Sequence, residues 1–213
     1  MRSATLEPQE IYLHKMKEVS KRLGACELFL SEYNRTKGVY FLEAVILQLR
    51  KALESISFAA IAPNKNAYEK FRLEAEKPAD YRKDYNGRKI LQLLRAINKD
   101  FYPKPLLPPT KGGGKWNFER KSDGFLTEKK FKSIYDRLGK YLHSDNPWGD
   151  NKGINNLVAA IPALLSEIHA LIEIHFTVIR TPEFSGVWVV NVPKNGDHPK
   201  IICGKAEGDF VVK

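Results

Sequence analysis

Arg137 and His143 stand six positions apart in the stretch RLGKYLHSDNPWGD, where a helix-like pattern passes into a polar Pro-Trp-Gly turn. An arginine fork clamps phosphate oxygens well, and an imidazole moves protons near neutral pH. Together they carry the chemistry of RNA cleavage without a metal. The histidine handles the 2′-hydroxyl or leaving-group proton, and the arginine neutralises charge at the phosphate. On an ideal helix six positions amount to about 9 Å of rise and leave the side chains about 120° apart, so one pair does not meet on one phosphate. Either Gly139 ends or distorts the helix and lets His143 swing round, or a second protomer supplies the missing residue. The same stretch also reads as structure: basic side chains and a histidine in the last turns favour the helix dipole, and SDNPWG forms a turn with Trp148 packed down as an anchor.

The net charge of +10 is unevenly spread. Between Phe101 and Lys140 ten basic residues face four acidic ones, interleaved with Phe101, Tyr102, Trp116, Phe118 and Phe125. Basic side chains track a phosphate backbone and aromatic rings stack on bases, so this segment is the expected nucleic-acid contact, the alternative being a solvated basic loop whose aromatics pin it to the body. Lys111, Lys115, Trp116, Arg120, Lys121 and Lys140 are its candidate nucleic-acid-binding residues. Lys111-Gly-Gly-Gly-Lys115 lacks the Gly-Lys-Ser/Thr ending of a phosphate loop and reads as a flexible tether or a backbone-amide contact to phosphate. His169 and His175 are six apart and share no helix face, so no metal site and no cofactor are expected.

These residues need a scaffold. With 43% hydrophobic residues, 213 positions can bury a core in one main domain. Apolar spacing predicts helices over about Pro8–Asn34, Val39–Ala62, a shorter NAYEKFRLEAEK, GRKILQLLRAIN, a helix capped by Thr127, and Ile154–Ile179. Glu43, Arg50 and Glu54 fall on one flank of the second helix; an Arg50–Glu54 pair that fixes packing is favoured over a role in the cleft. Residues 99 to 126, with four prolines and three consecutive glycines, predict a long basic loop without regular structure. The β-branched runs VWVVNVP, KIICG and DFVVK predict a small antiparallel appendage over 181–213, following a helical bundle over 1–180. Cys26 and Cys203 match no metal or redox spacing. No signal-peptide core and no span of about 18 uninterrupted apolar residues is read in the chain, so a cytoplasmic protein without membrane contact is expected.

A helix holding LRKALESI (Leu49–Ile56), followed much later by a helix presenting Arg and then His, resembles the HEPN superfamily of small helical bundles. The resemblance covers roughly Lys37 to Ile179. It implies a mainly α, HEPN-like bundle carrying the C-terminal β appendage as an addition. It further implies a metal-independent endoribonuclease of the toxin or phage-defence kind, working as a homodimer with an antitoxin or effector partner. Its catalytic residues would be Arg137 and His143, with Glu54 as a third polar group. The residue after the Arg, commonly polar in the family, is Leu138 here. That residue keeps open the alternative of a non-catalytic module that binds nucleic acid or a protein partner.

Overall fold

Pro8 opens helix α1 (Pro8–Thr36) at a position where its missing N–H leaves no bond unmade, and the Glu10 carboxylate accepts the Glu7 N–H at 3.2 Å. The chain turns back through Lys37, in the left-handed region at φ +56°, and Gly38 into α2 (Val39–Ile61). The computed structural model describes residues 7–144, 148, 153–180, 185–194 and 197–205. A 3₁₀ turn over Ala62–Asn64 leads into α3 (Lys65–Leu73), followed by α4 (Gly87–Ile97), α5 (Glu128–Tyr141) and α6 (Ile154–Ile172). Asn86 and Thr127 cap α4 and α5 by accepting the N–H groups of Lys89 and Lys130, as their residue types favour.

The apolar stripe of α2, from Leu42 through Val45, Ile46, Leu49, Leu53 and Ile56, is buried against Tyr12, Met16, Val19, Leu23 and Cys26 of α1. The fold is mainly α with a small antiparallel sheet toward the C-terminus. By length and composition α6 is long and apolar enough to cross a membrane. Its Leu157, Ile161, Leu164, Leu165, Ile168, Leu171 and Ile172 are buried in the bundle core.

Three features differ from the sequence expectation. The last helix stops at Ile172 rather than Ile179, and Ile174–Arg180 forms strand β4. IHFTVIR is rich in β-branched and aromatic side chains, and pairing along its whole length with β5 (Ser185–Asn191) satisfies its backbone. The 99–126 segment is not irregular: Lys104–Pro105 forms β1, and Thr110–Gly112 and Lys115–Asn117 form a hairpin, β2 and β3. With β6 (Lys200–Lys205) the main sheet has the order β1-β4-β5-β6, all antiparallel, so it draws one strand from the basic segment and begins before residue 180. Ile179, Trp188, Val190 and Val192 join the helical core, which makes helices and sheet one packed body. The third expected strand, DFVVK, lies outside the described residues.

Candidate functional site

Helix α5 places Arg137 and His143 differently. Arg137 is half-buried within the helix, and no hydrogen bond or ion pair of its side chain is found among the described residues. His143 is exposed just beyond Leu142, the residue that ends the helix. It lines a groove of about 460 Å³ with Tyr40, Glu43, Ala44 and Leu47 of α2 and with Tyr141, Leu142 and Ser144. Arg137 does not line that groove. Asp145, Asn146 and Pro147 lie outside the described residues, and Trp148 is 92% exposed rather than packed down.

Gly139 neither ends nor distorts the helix, which continues through Tyr141. Its role is close approach: a Cβ there would lie 2.6 Å from Nη1 of Arg50. The Arg50 guanidinium donates to the Tyr135 carbonyl at 2.9 Å, lies 4.0 Å from the Tyr135 ring centroid, and stands 3.4 Å from Oε1 of Glu54. The Tyr135 hydroxyl donates to Glu54 at 3.0 Å and accepts the Gly87 N–H at 3.2 Å. Burial pushes the Tyr135 phenol up from its ordinary range, with the Glu54 carboxylate adding to the rise, so it remains a neutral donor. Glu54 is thus engaged in tying α2, α4 and α5 together through Arg50 and Tyr135. The resemblance nominated Glu54 as a third polar group, whereas the carboxylate that lines the groove of His143 is Glu43.

The basic segment forms an arm. The Leu106 N–H donates to the Ile174 carbonyl at 2.7 Å, which roots the arm on the main sheet, and the N–H groups of Leu107 and Lys121 donate to the Glu119 and Pro105 carbonyls at 2.8 and 3.0 Å. Pro108 and Pro109 lack donors and interrupt this ladder before the β2–β3 hairpin resumes it. Gly113 and Gly114, at φ +57° and +76°, make the two-residue turn, since a tight hairpin turn of this hand needs two left-handed residues. Gly112 ends β2 and the other two glycines form the turn, so the triplet belongs to a hairpin rather than to a flexible tether.

At the tip Lys111 pairs with Trp116 across the two strands, and its ammonium lies 5.8 Å from the indole centroid. Both strands are exposed on every residue, and Trp116 is 58% exposed. At the root a groove of about 350 Å³ is lined by Arg95, Lys99, Lys104, Arg120 and Lys121, with Tyr102, Pro103, Pro105 and Phe125 as apolar walls and Thr127 and Glu128 at the start of α5. Of the nominated RNA contacts, Arg120 and Lys121 line this groove, Lys111, Lys115 and Trp116 form the tip, and Lys140 sits near the end of α5 and lines neither. Arg95 and Lys99 were missed because they come from α4 and the turn after it, a segment brought to the arm by folding. The available signal was that Arg95 sits opposite the apolar face of a strongly amphipathic helix.

Among the described residues no group of three or more His, Cys, Asp and Glu side chains is placed to hold a metal. His169 lies 3.3 Å from Glu27, and His175 is buried against Tyr12. No protein-family model, curated protein or solved structure matches this chain.

Proposed function

We propose that this chain is an RNA-binding protein of HEPN-like helical build that grips single-stranded RNA with its basic hairpin arm. The observation that supports this best is the tip, where an exposed indole and the ammonium opposite it sit on a two-glycine hairpin rooted in the main sheet. An indole stacks on any base, and Lys111 and Lys115 meet the flanking phosphates. Fluorescence anisotropy of a labelled single-stranded RNA, titrated at several salt concentrations, tests it. Replacing Lys111 and Lys115 together by Ala should weaken binding and lower the salt slope by about 1 to 2. An unchanged slope and affinity would remove the arm from the interface.

A second reading is favoured by one observation, the groove that places His143 beside Glu43 and Tyr40. In that reading the protein is a metal-independent endoribonuclease of the toxin or phage-defence kind. His143 acts on the RNA, Glu43 rather than Glu54 lies beside it, and Arg137 of a second protomer supplies the phosphate clamp in a homodimer. Incubation with mixed RNA in EDTA, with the His143→Ala variant alongside, decides it. Products with 2′,3′-cyclic phosphate ends from the native protein alone support cleavage, and intact RNA in both samples rejects it.

A further inference from the structure

Five cations and one carboxylate line the groove at the root of the arm, and the cations are not equivalent. Arg95 is held through two donors by Glu128, which also takes Lys132 at 2.7 Å. Lys104 is held at 2.6 Å by Asp100, which also takes Arg180 at 3.0 Å. Arg120 lies over the Phe176 ring at 5.4 Å. Each carboxylate is shared by two cations and neutralises only one, so a surplus of positive charge remains. The pKa of Lys132, which shares Glu128 with Arg95, is lowered first by burial and then by repulsion from Arg95 and Arg88. The ammonium groups of Lys99 and Lys121 have no partner among the described residues.

The apolar walls are fixed. Pro103 and Pro105 are buried, and β1 is held in register by Phe176 and His175 of β4. Phe125 supplies a partly buried aromatic ring on the same groove. A volume of about 350 Å³ falls at the small end of the roughly 300–1,000 Å³ of ligand sites, enough for one nucleotide. A phosphate suits two ammonium groups on one groove that have no other partner among the described residues, and a flat base or sugar covers a wall of proline and phenylalanine.

We infer that the root groove is a nucleoside-phosphate pocket, with Lys99 and Lys121 on the phosphate and Phe125 and Pro103 against the nucleoside. It rests on the RNA-binding reading for the source of its ligand, the phosphorylated end of a strand held by the arm, although a free nucleotide presents the same chemistry. Calorimetry with uridine 5′-monophosphate and with inorganic phosphate, and anisotropy with a short RNA bearing either a 5′-phosphate or a 5′-hydroxyl, test both sources. The native protein should bind the nucleotide saturably. The Lys99→Ala, Lys121→Ala double variant should bind it about tenfold more weakly. The 5′-phosphorylated RNA should bind about fivefold tighter than its hydroxyl counterpart, a preference lost in the double variant. Nucleotide binding without RNA binding keeps the pocket and rejects the RNA reading. Equal binding of the two RNAs, together with no nucleotide binding, rejects the pocket and leaves the RNA reading standing. Inorganic phosphate bound as tightly as the nucleotide rejects the nucleoside wall.

Discussion

Arg50, inside the bundle, spends its guanidinium on the Tyr135 carbonyl, the Tyr135 ring and the Glu54 carboxylate, whereas the Lys121 ammonium at the root of the arm meets none of these. Both are cations beside aromatic walls, and only their neighbours separate them. Around Tyr135 the polar groups are matched: its hydroxyl donates to Glu54 and accepts from Gly87, and Gly139 leaves room for Arg50. At the arm the surplus charge faces an open groove. The contrast sets Glu54 and Arg50, which tie helices together, apart from Lys99 and Lys121, which line the groove we infer to hold a ligand.

The largest effect that separates the two regions is on stability. Tyr135→Ala removes a ring stacked on Phe131, with centroids 6.2 Å apart, and takes the ring from beside Arg50 and the hydroxyl donor from Glu54, while Arg50 keeps its bond to the backbone carbonyl. A loss of about 4 kcal/mol in urea unfolding is expected. Tyr135→Phe keeps the ring and should lose about 1–2 kcal/mol, with RNA affinity per folded molecule unchanged. A Phe variant that folded normally and yet lost RNA binding would move this cluster from scaffold to site.

Next in size is a pH effect in the closed region. His175 is fully buried; its Nδ1 lies 2.8 Å from the Ile172 carbonyl and its Nε2 2.7 Å from the Tyr12 hydroxyl. With Nδ1 donating to the carbonyl, Nε2 accepts from the tyrosine, and burial lowers the imidazole from 6.5 to about 4. The unfolded chain takes a proton at the higher value, so between the two it binds more protons than the folded one. Stability is therefore full above about pH 6.5 and falls as pH drops toward 4, by on the order of 3 kcal/mol. Urea midpoints across this window should show the slope in the native protein, and a His175→Gln variant should flatten it. Equal slopes in the two proteins would assign the loss to the carboxylates.

The arm should behave in the opposite way. Trp116→Ala is expected to leave the unfolding free energy within about 0.5 kcal/mol, since the indole is exposed, and to weaken RNA binding about tenfold through the lost stack. A destabilised variant with intact RNA affinity would make Trp116 part of the scaffold and erase the contrast.

Much of the bundle was legible because its signals are local. The stripe of α2, the Thr127 cap and the end of α4 follow from apolar spacing and residue type alone. The Arg50–Glu54 pair was legible too, since four residues on a helix bring them together. What failed depends on distant partners. IHFTVIR continues an apolar run that suits a helix until β5 offers a full ladder, and Lys104–Pro105 becomes a strand only because β4 lies beside it. Arg95 and Lys99 enter the root groove by the same route. Arg137 and His143 were legible as a pair of suitable types; that only His143 opens onto the α2 groove is a result of packing.

The smallest effect tests whether the arm works because it is already shaped. Gly113 and Gly114 lie at φ +57° and +76° with open space around each absent Cβ, so an added methyl meets no neighbour and only the backbone resists. For an L-residue that resistance is roughly 1–2 kcal/mol, enough to spread the turn over other conformations. Gly114→Ala should leave global unfolding within about 0.5 kcal/mol, because the β2–β3 hairpin is exposed and adds nothing to the core. RNA affinity should nonetheless fall about threefold, as binding must now restore the hairpin first. A similar fall in Gly113→Ala, and none in Gly112→Ala, whose φ is not positive, would tie the loss to the turn itself. No loss in any of the three would mean that Lys111 and Trp116 act independently of their pairing, and the arm would be a carrier of charge rather than a preformed grip.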